Sequence, residues 1–446
     1  MTKKILVIGG GGREHALLWK LRQTTGAKLY AGPGNPGIAG IAENVAVDPG
    51  DVAWWANFGV RHGIDLTIVG PDAPLSIGIV DAFHSRGLRI FGPTRAAAKL
   101  EWSKAFAKEF MAAEGIPTAA FRVFDEFEAA LRYVRRQGAP IVVKASGLAL
   151  GKGVFVCATQ AEAEAALRAI LVEGRFGESG REVVVEEFLD GPELSVHALC
   201  DGATFRLLPF CRDYKRRNDG NQGPMTGGMG SVALPAARVL GDIRWQVVRI
   251  LDQTLAGMAK RGTPFVGCLY PGIKLTSKGV RVLEYNARFG DPETQSLVRV
   301  IGGEFPELLE RCVEGTLAEA PPYPTTGFGA CVVIAARAYP ESRTAAKRIF
   351  GLDAAVDNGA QVFHAGTRIV DGTLCAQGGR ILGATGAAPK LETALDQAYH
   401  AAARIHFDGH YYRRDIGADL RVGTLCRALR PSFFARKKDA KASGYL

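Results

Sequence analysis

KASGLALGKGV, residues 144–154, is a glycine-rich stretch of the kind that binds phosphate, but its spacing is not that of a Walker loop. A Walker loop has four residues between its glycines and a Ser or Thr directly after its lysine. Here three residues separate Gly147 from Gly151, and Gly153 follows Lys152. The stretch therefore indicates a phosphate-binding fold of another class.

The residues around this loop predict a small sheet. The strand APIVVKA delivers Lys144, and a second strand, GVFVC, follows the loop. After a helix rich in Ala and Glu, REVVVEEFLDGPELSVHAL reads as a strand, a short acidic segment and another strand. This order predicts a nucleotide clamp over about residues 120–190, in which the lysine is a fixed cation for the phosphates and the loop closes to exclude water.

RVLEYNARFGDPETQS, residues 281–296, predicts a site for magnesium and phosphate. Glu284 and Asn286 are two apart in a strand, so they share one face, where a carboxylate and an amide oxygen can hold Mg²⁺. Arg288 continues the alternation and can place a guanidinium where negative charge develops on a transferred group. GDPETQ then begins a turn and a helix with further polar groups.

The N-terminus reads as the first unit of a doubly wound parallel-sheet domain, with a strand at residues 5–8, a glycine turn and a helix. A dinucleotide fingerprint would need glycine at Glu14 or His15, which disfavours a nicotinamide or flavin site. The turn still offers backbone N–H groups to a phosphate monoester. Two later strands, 65–70 and 88–92, each run into Gly-Pro, where a ligand loop and an ordinary turn are both open readings.

Composition indicates a globular protein of two to four domains, with 446 residues, 47% apolar content and 55 glycines. The eight cysteines form no C-x-x-C pair, so we expect buried, reduced thiols in the cytoplasm. Apolar runs are far shorter than the roughly 20 residues of a membrane span. Of the net charge of +10, residues 421–446 carry +6, which indicates a solvated basic tail and makes nucleic acid the less favoured partner.

The sequence resembles the glycinamide ribonucleotide synthetase (phosphoribosylamine–glycine ligase) family of the ATP-grasp superfamily over about residues 3 to 420. The motifs that carry the resemblance stand in the family's order: VIGGGGREHAL, TIVGPDAPL, IFGPTRAAAKLEWSKAFAK, KASGLALGKGV, EEFLDGPELS, GPMTGGMG, EYNARFGDPETQ, FHAGT, GGRIL and HFDGHYYRRDIG. We expect an N-terminal substrate-binding α/β domain (1–102), an ATP-grasp domain of two α+β subdomains (103–320), a small β-rich C-terminal domain (325–420) and the tail (421–446).

The resemblance also implies roles for individual residues. Lys104 and Lys144 would contact the phosphates or the adenine edge of ATP, and Glu284 and Asn286 would hold Mg²⁺ or Mn²⁺. Glu186 to Leu189 would form the adenine hinge and Glu193 would meet the ribose. The remaining expected ATP-binding residues are Gly151, Gly153 and Glu187. Arg288 and Lys152, the latter in the mobile loop, would be catalytic.

The family reaction phosphorylates the glycine carboxylate to an acyl phosphate, which the amine of phosphoribosylamine attacks to give an amide, ADP and phosphate. The substrate-binding residues expected from the resemblance are Gly11, Arg13, Glu14, Pro71, Asp72, Asp213, Lys215, Asp291 and Thr294. For Arg13 and Lys215, solvated surface charge is the alternative. The expected partners are small-molecule substrates, an amino acid and a phosphorylated sugar amine. No membrane association is expected, and the protein is expected to be a monomer or weak dimer.

Several positions depart from the family pattern. The family usually has Asp at Ser146, Ala at Leu150, His at Tyr214, Asp at Asn221, Asn at Met225 and Gly at Trp102, and the acidic side chain at Asp72 is shortened. Because the altered loops lie where the family handles its acceptor and amino acid, a ligase of the same fold with another amino acid or amine stays open beside the purine-pathway activity. A silent nucleotide-binding protein is a third hypothesis. His364 and His406 are expected to be packed core histidines.

Overall fold

The computed structural model describes residues 2–149, 152–235, 239 and 241–421. The predicted basic tail therefore lies outside the described residues, apart from Arg421 at the end of the last helix. Within the described ranges, no helix combines the length and the apolar character needed to cross a membrane.

The N-terminal part is the doubly wound parallel sheet that the sequence predicts. Its elements are β1 (Lys4–Gly9), α1 (Gly12–Thr24), β2 (Lys28–Pro33), β3 (Glu43–Asn44), α2 (Val52–His62), β4 (Leu66–Val69), α3 (Asp72–Ser76), α4 (Ile79–His84) and β5 (Ile90–Phe91). The strands lie in the order β3-β2-β1-β4-β5, and all neighbours are parallel. Residues 5–8 are fully buried because helices cover both faces of such a sheet.

Two helices link this sheet to a small antiparallel sheet. They are α5 (Lys99–Trp102) and α6 (Lys104–Ala113), and the second begins at Ser103, whose hydroxyl accepts from Phe106 N at 3.2 Å. The small sheet follows with β6 (Phe121–Phe124), α7 (Phe127–Gln137), β7 (Ile141–Ala145), β8 (Val154–Cys157), α8 (Gln160–Leu167) and β9 (Val183–Glu187). Its strand order is β6-β9-β7-β8, and it has a hydrophobic core of its own between the sheet and its helices. The predicted clamp is thus a separately packed unit.

The next segment builds most of a large antiparallel sheet. Its elements are β10 (Glu193–Ser195), β11 (Ala198–Asp201), β12 (Phe205–Leu207), β13 (Phe210–Asp213), β14 (Arg216–Asn218), β15 (Gln222–Met225), β16 (Gly230–Leu234), α9 (Gly241–Lys260), β17 (Val266–Thr276), β18 (Gly279–Asn286), α10 (Glu293–Leu297) and α11 (Phe305–Glu314). The long hairpin of β17 and β18 carries the predicted metal ligands at its end. β14 and β15 form a separate two-stranded hairpin.

The C-terminal part contains β19 (Phe328–Ala336), β20 (Lys347–Arg348), α12 (Leu352–Ala355), β21 (Gln361–His364), β22 (Thr367–Val370), β23 (Thr373–Ala376), β24 (Arg380–Ala388), α13 (Leu391–Arg404), β25 (His410–Tyr411) and α14 (Ala418–Arg421). β19 pairs with β16, with Gly230 opposite Val332 and Ala233 opposite Gly329. The large sheet therefore runs without a break as β12-β11-β17-β10-β13-β16-β19-β24-β21. The expected C-terminal domain shares its sheet with the preceding segment.

The described cysteines agree with the sequence-based expectation. Seven are buried and none is in a disulfide; the eighth, Cys426, lies outside the described residues.

Candidate active site

A buried cluster of charges lies where the small sheet faces the long hairpin. The Glu186 carboxylate contacts the ammonium groups of both Lys144 and Lys108, the second at 2.5 Å. Lys108 also donates to the hydroxyl of Thr118 at 2.7 Å. Burial alone would raise the pKa of Glu186, but the two lysines lower it. One carboxylate between two cations leaves this end of the site positive, as a bound polyphosphate requires.

The start of the glycine loop is tied to the N-terminus of α6. Lys104 N donates to Ser146 O at 2.7 Å, Ala105 N to the Ser146 hydroxyl at 3.2 Å, and Lys104 Nζ to Gly147 O at 3.0 Å. A Cβ on Gly147 would lie 2.5 Å from Ser179 Cα, so only glycine allows this approach. Burial lowers the pKa of Lys104, against the opposing effect of Glu284. The loop is thus held at its base.

The predicted metal ligands lie at the open end of the long hairpin. Glu284 is opposite Gly272 and Asn286 opposite Tyr270 in the β17–β18 register. The Glu284 carboxylate is 3.6 Å from Lys215 Nζ. Burial acts to raise the pKa of Glu284, but Lys215, Lys144, Lys104 and Arg288 together lower it to about 2. Glu284 is therefore ionised at neutral pH and held among cations.

Arg288 lies just past the end of β18 and contacts both the hairpin and helix α5. Its guanidinium donates to Asn286 Oδ1 at 3.0 Å and forms an ion pair with Glu101 at 3.0 Å. The other Glu101 oxygen accepts from Ala287 N at 2.8 Å. Burial raises the pKa of Glu101, and Arg288 acts against that rise. The ion pair holds the arginine beside Asn286.

The donor set fits a hard divalent cation. A carboxylate ionised far below neutral pH and an adjacent amide oxygen are ligands that Mg²⁺ and Mn²⁺ accept. Among the described residues, no group of three or more His, Cys, Asp or Glu side chains could hold a metal ion by itself. Magnesium bound by one or two side chains usually completes its coordination with substrate phosphates and water. The pair therefore suits a cation that arrives with a nucleotide.

A small cavity of about 20 Å³ opens beside Glu284, with room for about one water molecule. It is lined by Glu193, Leu194, Ser195, Asp213, Lys215, Tyr270, Gly272, Ile273, Leu283 and Glu284. Asp213 Oδ1 is buried and has no hydrogen-bond partner within the described part of the chain. Burial, reinforced by Glu293, raises the pKa of Asp213 well above its usual range. This oxygen can accept a hydrogen bond from a ligand group or from a water molecule.

Two of the cavity-lining residues, Ser195 and Tyr270, belong to a buried polar network. Glu293 Oε1 accepts from Ser195 at 3.0 Å and from Tyr270 at 2.5 Å. The ring of His197 stacks on Tyr270 at 4.2 Å, and His197 Nε2 accepts from Gly290 N at 3.2 Å. Burial lowers the pKa of His197 to about 4, so the imidazole is neutral. This neutral ring holds the backbone of the loop that follows Arg288.

Buried neutral histidines predict acid sensitivity. Burial lowers the pKa of His15 to about 3 and that of His197 and His364 to about 4. Because the unfolded chain binds protons near pH 6.5 and the folded chain does not, the free energy of unfolding falls as the pH drops below about 6.5. Each such histidine contributes a loss of about 2 kcal/mol between pH 7.5 and pH 5.

Replacing His197 with phenylalanine should remove one of these contributions. Unfolding by urea, followed at pH 7.5 and at pH 5, should show a pH-dependent loss smaller by about 2 kcal/mol than in the unmodified chain. His406 is exposed, so His406→Ala is the control and should leave the loss unchanged. Equal losses in His197→Phe and the unmodified chain would contradict a neutral buried ring.

In the N-terminal glycine turn, one backbone N–H is used within the protein. Gly11 N donates to the Glu14 carboxylate at 2.6 Å, so Glu14 satisfies one backbone donor at the start of α1. Arg13 is buried, pairs with Glu14 at 2.6 Å and donates to Phe289 O at 3.1 Å. The alternative of a solvated Arg13 is therefore wrong, and the Gly11 N–H is already used within the protein.

The other expected substrate-binding residues lie in two groups. Pro71 precedes α3, whose first residue, Asp72, acts electrostatically on Glu101, Lys104 and Arg288 and so lies near them. Asp291 pairs with Arg380 at 3.2 Å and accepts from Gln295 at 2.7 Å. Thr294 is fully buried, and its hydroxyl donates to Gly290 O at 2.5 Å. Its hydroxyl is thus occupied within the loop.

Comparison with known proteins identifies the family. Models of the phosphoribosylglycinamide synthetase N domain, ATP-grasp (A) domain and C domain match residues 3–101, 102–294 and 329–419. A phosphoribosylamine–glycine ligase of Xanthomonas axonopodis pathovar citri is 46% identical over 424 residues, 93% of this chain and 97% of the relative. The chain belongs to the phosphoribosylglycinamide synthetase family.

Another relative and two solved structures are also similar to this chain. A phosphoribosylamine–glycine ligase of Pseudomonas aeruginosa is 45% identical over 422 residues, 93% of this chain and 97% of the relative. The crystal structure of a phosphoribosylamine–glycine ligase from Thermotoga maritima superposes with a TM-score of 0.80 at 34% identity, covering 92% of this chain and 99% of that one. A biotin carboxylase domain from Hydrogenobacter thermophilus has a TM-score of 0.70 at 18% identity, covers 95% and 96%, and shares the fold alone.

Several of the nucleotide-binding residues expected for a phosphoribosylglycinamide synthetase follow the small sheet. Glu187 accepts from Ala120 N at 3.0 Å at the end of β9, with Leu189 half-buried two residues on. Glu193 pairs with Lys274 at 2.9 Å, and burial, which opposes the change, is outweighed by Lys215 and Lys274, so its pKa is lowered. Gly153 is buried and Lys152 exposed. Gly151 and Leu150 lie outside the described residues.

The departures from the synthetase family pattern have identifiable partners. Tyr214 is 3% exposed and donates to Asp419, while Asn221 accepts from Arg413 at 3.1 Å, so both contact the C-terminal segment. Met225 lies in β15 opposite Arg216 and does not line the small cavity. Ser146 and Trp102 line a larger cavity of about 750 Å³ beside the glycine loop, and neither Glu284 nor Asn286 lines it. Positions 214 and 221 thus have structural partners.

The two histidines of the C-terminal part behave differently. His364 is half-buried against α1, where its backbone N–H donates to His15 Nδ1 at 2.8 Å. His406 is exposed, so the expectation of a packed core histidine is wrong there. The cause is its position at the surface bridge between Phe350 and His406.

Several residues that contact the predicted site residues were not identified from the sequence. Glu101, Lys108 and Arg380 form ion pairs with predicted residues, and Tyr270 O accepts from the Asn286 amide, but none of these four belongs to a predicted set. Lys108 carried a usable signal, since it lies four residues after Lys104 on the same helix and therefore on the same face. The others depend on contacts between distant segments.

Proposed function

We propose that this chain joins glycine to 5-phosphoribosylamine with ATP, giving glycinamide ribonucleotide, ADP and phosphate. The observation that carries the proposal is the meeting of the Glu284–Asn286 pair with Lys144, Lys104, Lys215 and Arg288, in a chain 46% identical to a phosphoribosylamine–glycine ligase. Carboxylate activation by ATP needs this combination of cations for the phosphates and oxygens for a divalent metal. The proposed cofactors are ATP and Mg²⁺ or Mn²⁺.

The charges of the chain support phosphoryl transfer to a carboxylate. Lys104 and Lys144 lie on the small-sheet side of the site and Lys215 on the hairpin side, so a triphosphate between them would be neutralised from both sides. Glu284 and Asn286 would hold the divalent cation, which when bound spreads and neutralises the phosphate charge. Arg288 holds a guanidinium beside these oxygens, where charge develops on the transferred group.

The acyl phosphate route places modest demands on the protein. Phosphate is a good leaving group, so the substrate amine attacks the activated carboxylate and no side-chain nucleophile is required. Asp213, whose carboxyl oxygen is unsatisfied in the small cavity, supplies an acceptor for an ammonium or amine N–H. The glycine loop, held at its base by α6, closes over the phosphates and keeps water from the acyl phosphate.

We propose the cytoplasm as the site of action, consistent with buried, unpaired cysteines. The partners are small molecules, and the chain acts as a monomer or weak dimer. The basic tail supports no further partner in this proposal.

The test is product formation from freshly prepared phosphoribosylamine. Full-length protein with ATP, Mg²⁺ and glycine should form a product with the mass of glycinamide ribonucleotide, with ADP released in equal amount. In parallel, ADP release with alanine and serine in place of glycine should be weaker, since a small site discriminates against each added group by about tenfold or more. A stronger response to a larger amino acid, or no amide from folded protein, would overturn the proposal.

A further inference from the structure

The C-terminal clasp, residues 411–419, contacts the loop that carries Asp213 and Lys215. The Asp419 carboxylate accepts two hydrogen bonds, one oxygen from the Tyr214 hydroxyl and the other from Arg212 Nε at 3.0 Å. Tyr214 is 3% exposed, so its hydroxyl depends on this partner. A single carboxylate near the end of the described chain thus binds two residues of the loop.

The two sides of this loop face opposite directions. Beyond β13, Tyr214 continues the pairing with the β16 side, since Tyr214 N donates to Gly230 O at 3.0 Å and Met229 N to Tyr214 O at 2.8 Å. Side chains alternate along an extended segment, so Arg212 and Tyr214 share one face and Asp213 and Lys215 the other. Asp213 and Lys215 line the small cavity beside Glu284. The clasp therefore holds the face opposite to the active site.

Arg212 extends the connection to a second strand. Besides Asp419, it donates through Nη1 to Glu193 O at 2.8 Å. Glu193 lies in β10, lines the same cavity and pairs with Lys274 at 2.9 Å. Asp419 is thus linked through one arginine to the predicted ribose contact and through one tyrosine to the predicted substrate residues.

The clasp has an anchor that does not involve Asp419. Arg413 is fully buried, contacts Asp415 at 2.7 Å through both Nε and Nη2, and donates to Arg216 O at 2.9 Å. Asp415 in turn accepts from Gly220 N at 2.8 Å. A change at Asp419 therefore removes the contacts to Tyr214 and Arg212 while the segment stays attached.

We propose that Asp419 is a positioning residue that acts through Tyr214 and Arg212 to direct Asp213, Lys215 and Glu193 into the active site. This inference rests on the proposed function, which assigns Asp213 and Lys215 to the substrates, and on the expected contact of Glu193 with the ribose of ATP. Asp419 does not touch a substrate; it fixes the backbone that presents the residues that do. Displacement of a positioning group by about 1 Å can cost up to about a hundredfold in rate.

The test compares Asp419→Ala, Tyr214→Phe and their double variant in the full chain. We expect each single variant to weaken MgADP affinity and to raise KM for ATP, with kcat/KM lower by about tenfold. Because the two residues act as one unit, the double variant should lose no more than Asp419→Ala alone. Asp419→Glu, which keeps the carboxylate, should recover part of the loss.

The control is Asp408→Ala, which removes an exposed carboxylate paired with Lys347 in the same part of the chain. It should leave MgADP affinity and KM unchanged. If Asp419→Ala lowers Tm but leaves MgADP affinity and KM for ATP at their original values, Asp419 is only structural and the inference fails. MgADP binding needs neither glycine nor amine, so the test stands apart from the outcome for the proposed reaction.

Discussion

Glu284→Ala should lower kcat by about a thousandfold. The change removes the proposed carboxylate ligand of the metal and leaves Lys215, Lys144 and Lys104 with one counter-charge fewer. A divalent cation bound to a phosphate in transfer stabilises the transition state by several kcal/mol, because it neutralises the developing negative charge. A loss of about 4 kcal/mol corresponds to a rate lower by about a thousandfold. Steady-state release of ADP, measured across a range of Mg²⁺ and Mn²⁺ concentrations, gives the result.

The matched control for this prediction is Glu392→Ala, which removes an exposed carboxylate from the first turn of α13. It should keep full activity. Tm should be measured for both variants, because a fall in turnover counts only if the protein is folded. Unchanged turnover in Glu284→Ala would show that the acid does not hold the metal and would remove the basis of the proposed mechanism.

Arg288→Ala should have the second largest effect, on both turnover and stability. Removing a preorganised cation beside a developing anion costs about 10²- to 10³-fold in kcat. The ion pair with Glu101 is also lost, which leaves a buried acid alone and costs about 3 kcal/mol or more of stability. Burial already raises the pKa of Glu101, and loss of Arg288 raises it further.

The raised pKa gives this variant a defined pH dependence. In the folded variant Glu101 binds a proton that the unfolded chain releases above about pH 4.5, so stability falls as the pH rises from there towards the folded pKa. The double variant Arg288→Ala/Glu101→Gln should restore stability and leave turnover low. Recovery of turnover in the double variant would contradict a role for Arg288 in the reaction.

The fold was largely predictable because local patterns carry it. The buried run at residues 5–8, the Gly-Pro turns after β4 and β5, and the strand–loop–strand around Lys144 all signal their elements within a few residues. The pairing of β16 with β19 was not predictable, since the two strands are about a hundred residues apart and both read as ordinary buried strands. Sequence patterns carry little information about which distant strands become neighbours.

The site was predictable in part for the same reason. Glu284 and Asn286 follow from strand alternation, and Lys144 from its place before a glycine loop. What each side chain contacts depends on the whole fold. Glu14 is expected from the resemblance to bind substrate, and its carboxylate accepts from Gly11 N. Tyr214 lies in a loop expected to handle substrate, and its hydroxyl donates to Asp419.

The pairing of β16 with β19 also bears on how this chain can be divided. A cut at residues 321–327, just before β19, would leave β16 as an edge strand of the eleven-stranded sheet, with a row of unsatisfied N–H and C=O groups. Exposed edge strands pair with strands of other molecules, so either fragment expressed alone should aggregate. When the two fragments are produced together, they should associate and co-purify. A domain swap between relatives must therefore exchange both strands as a matched set.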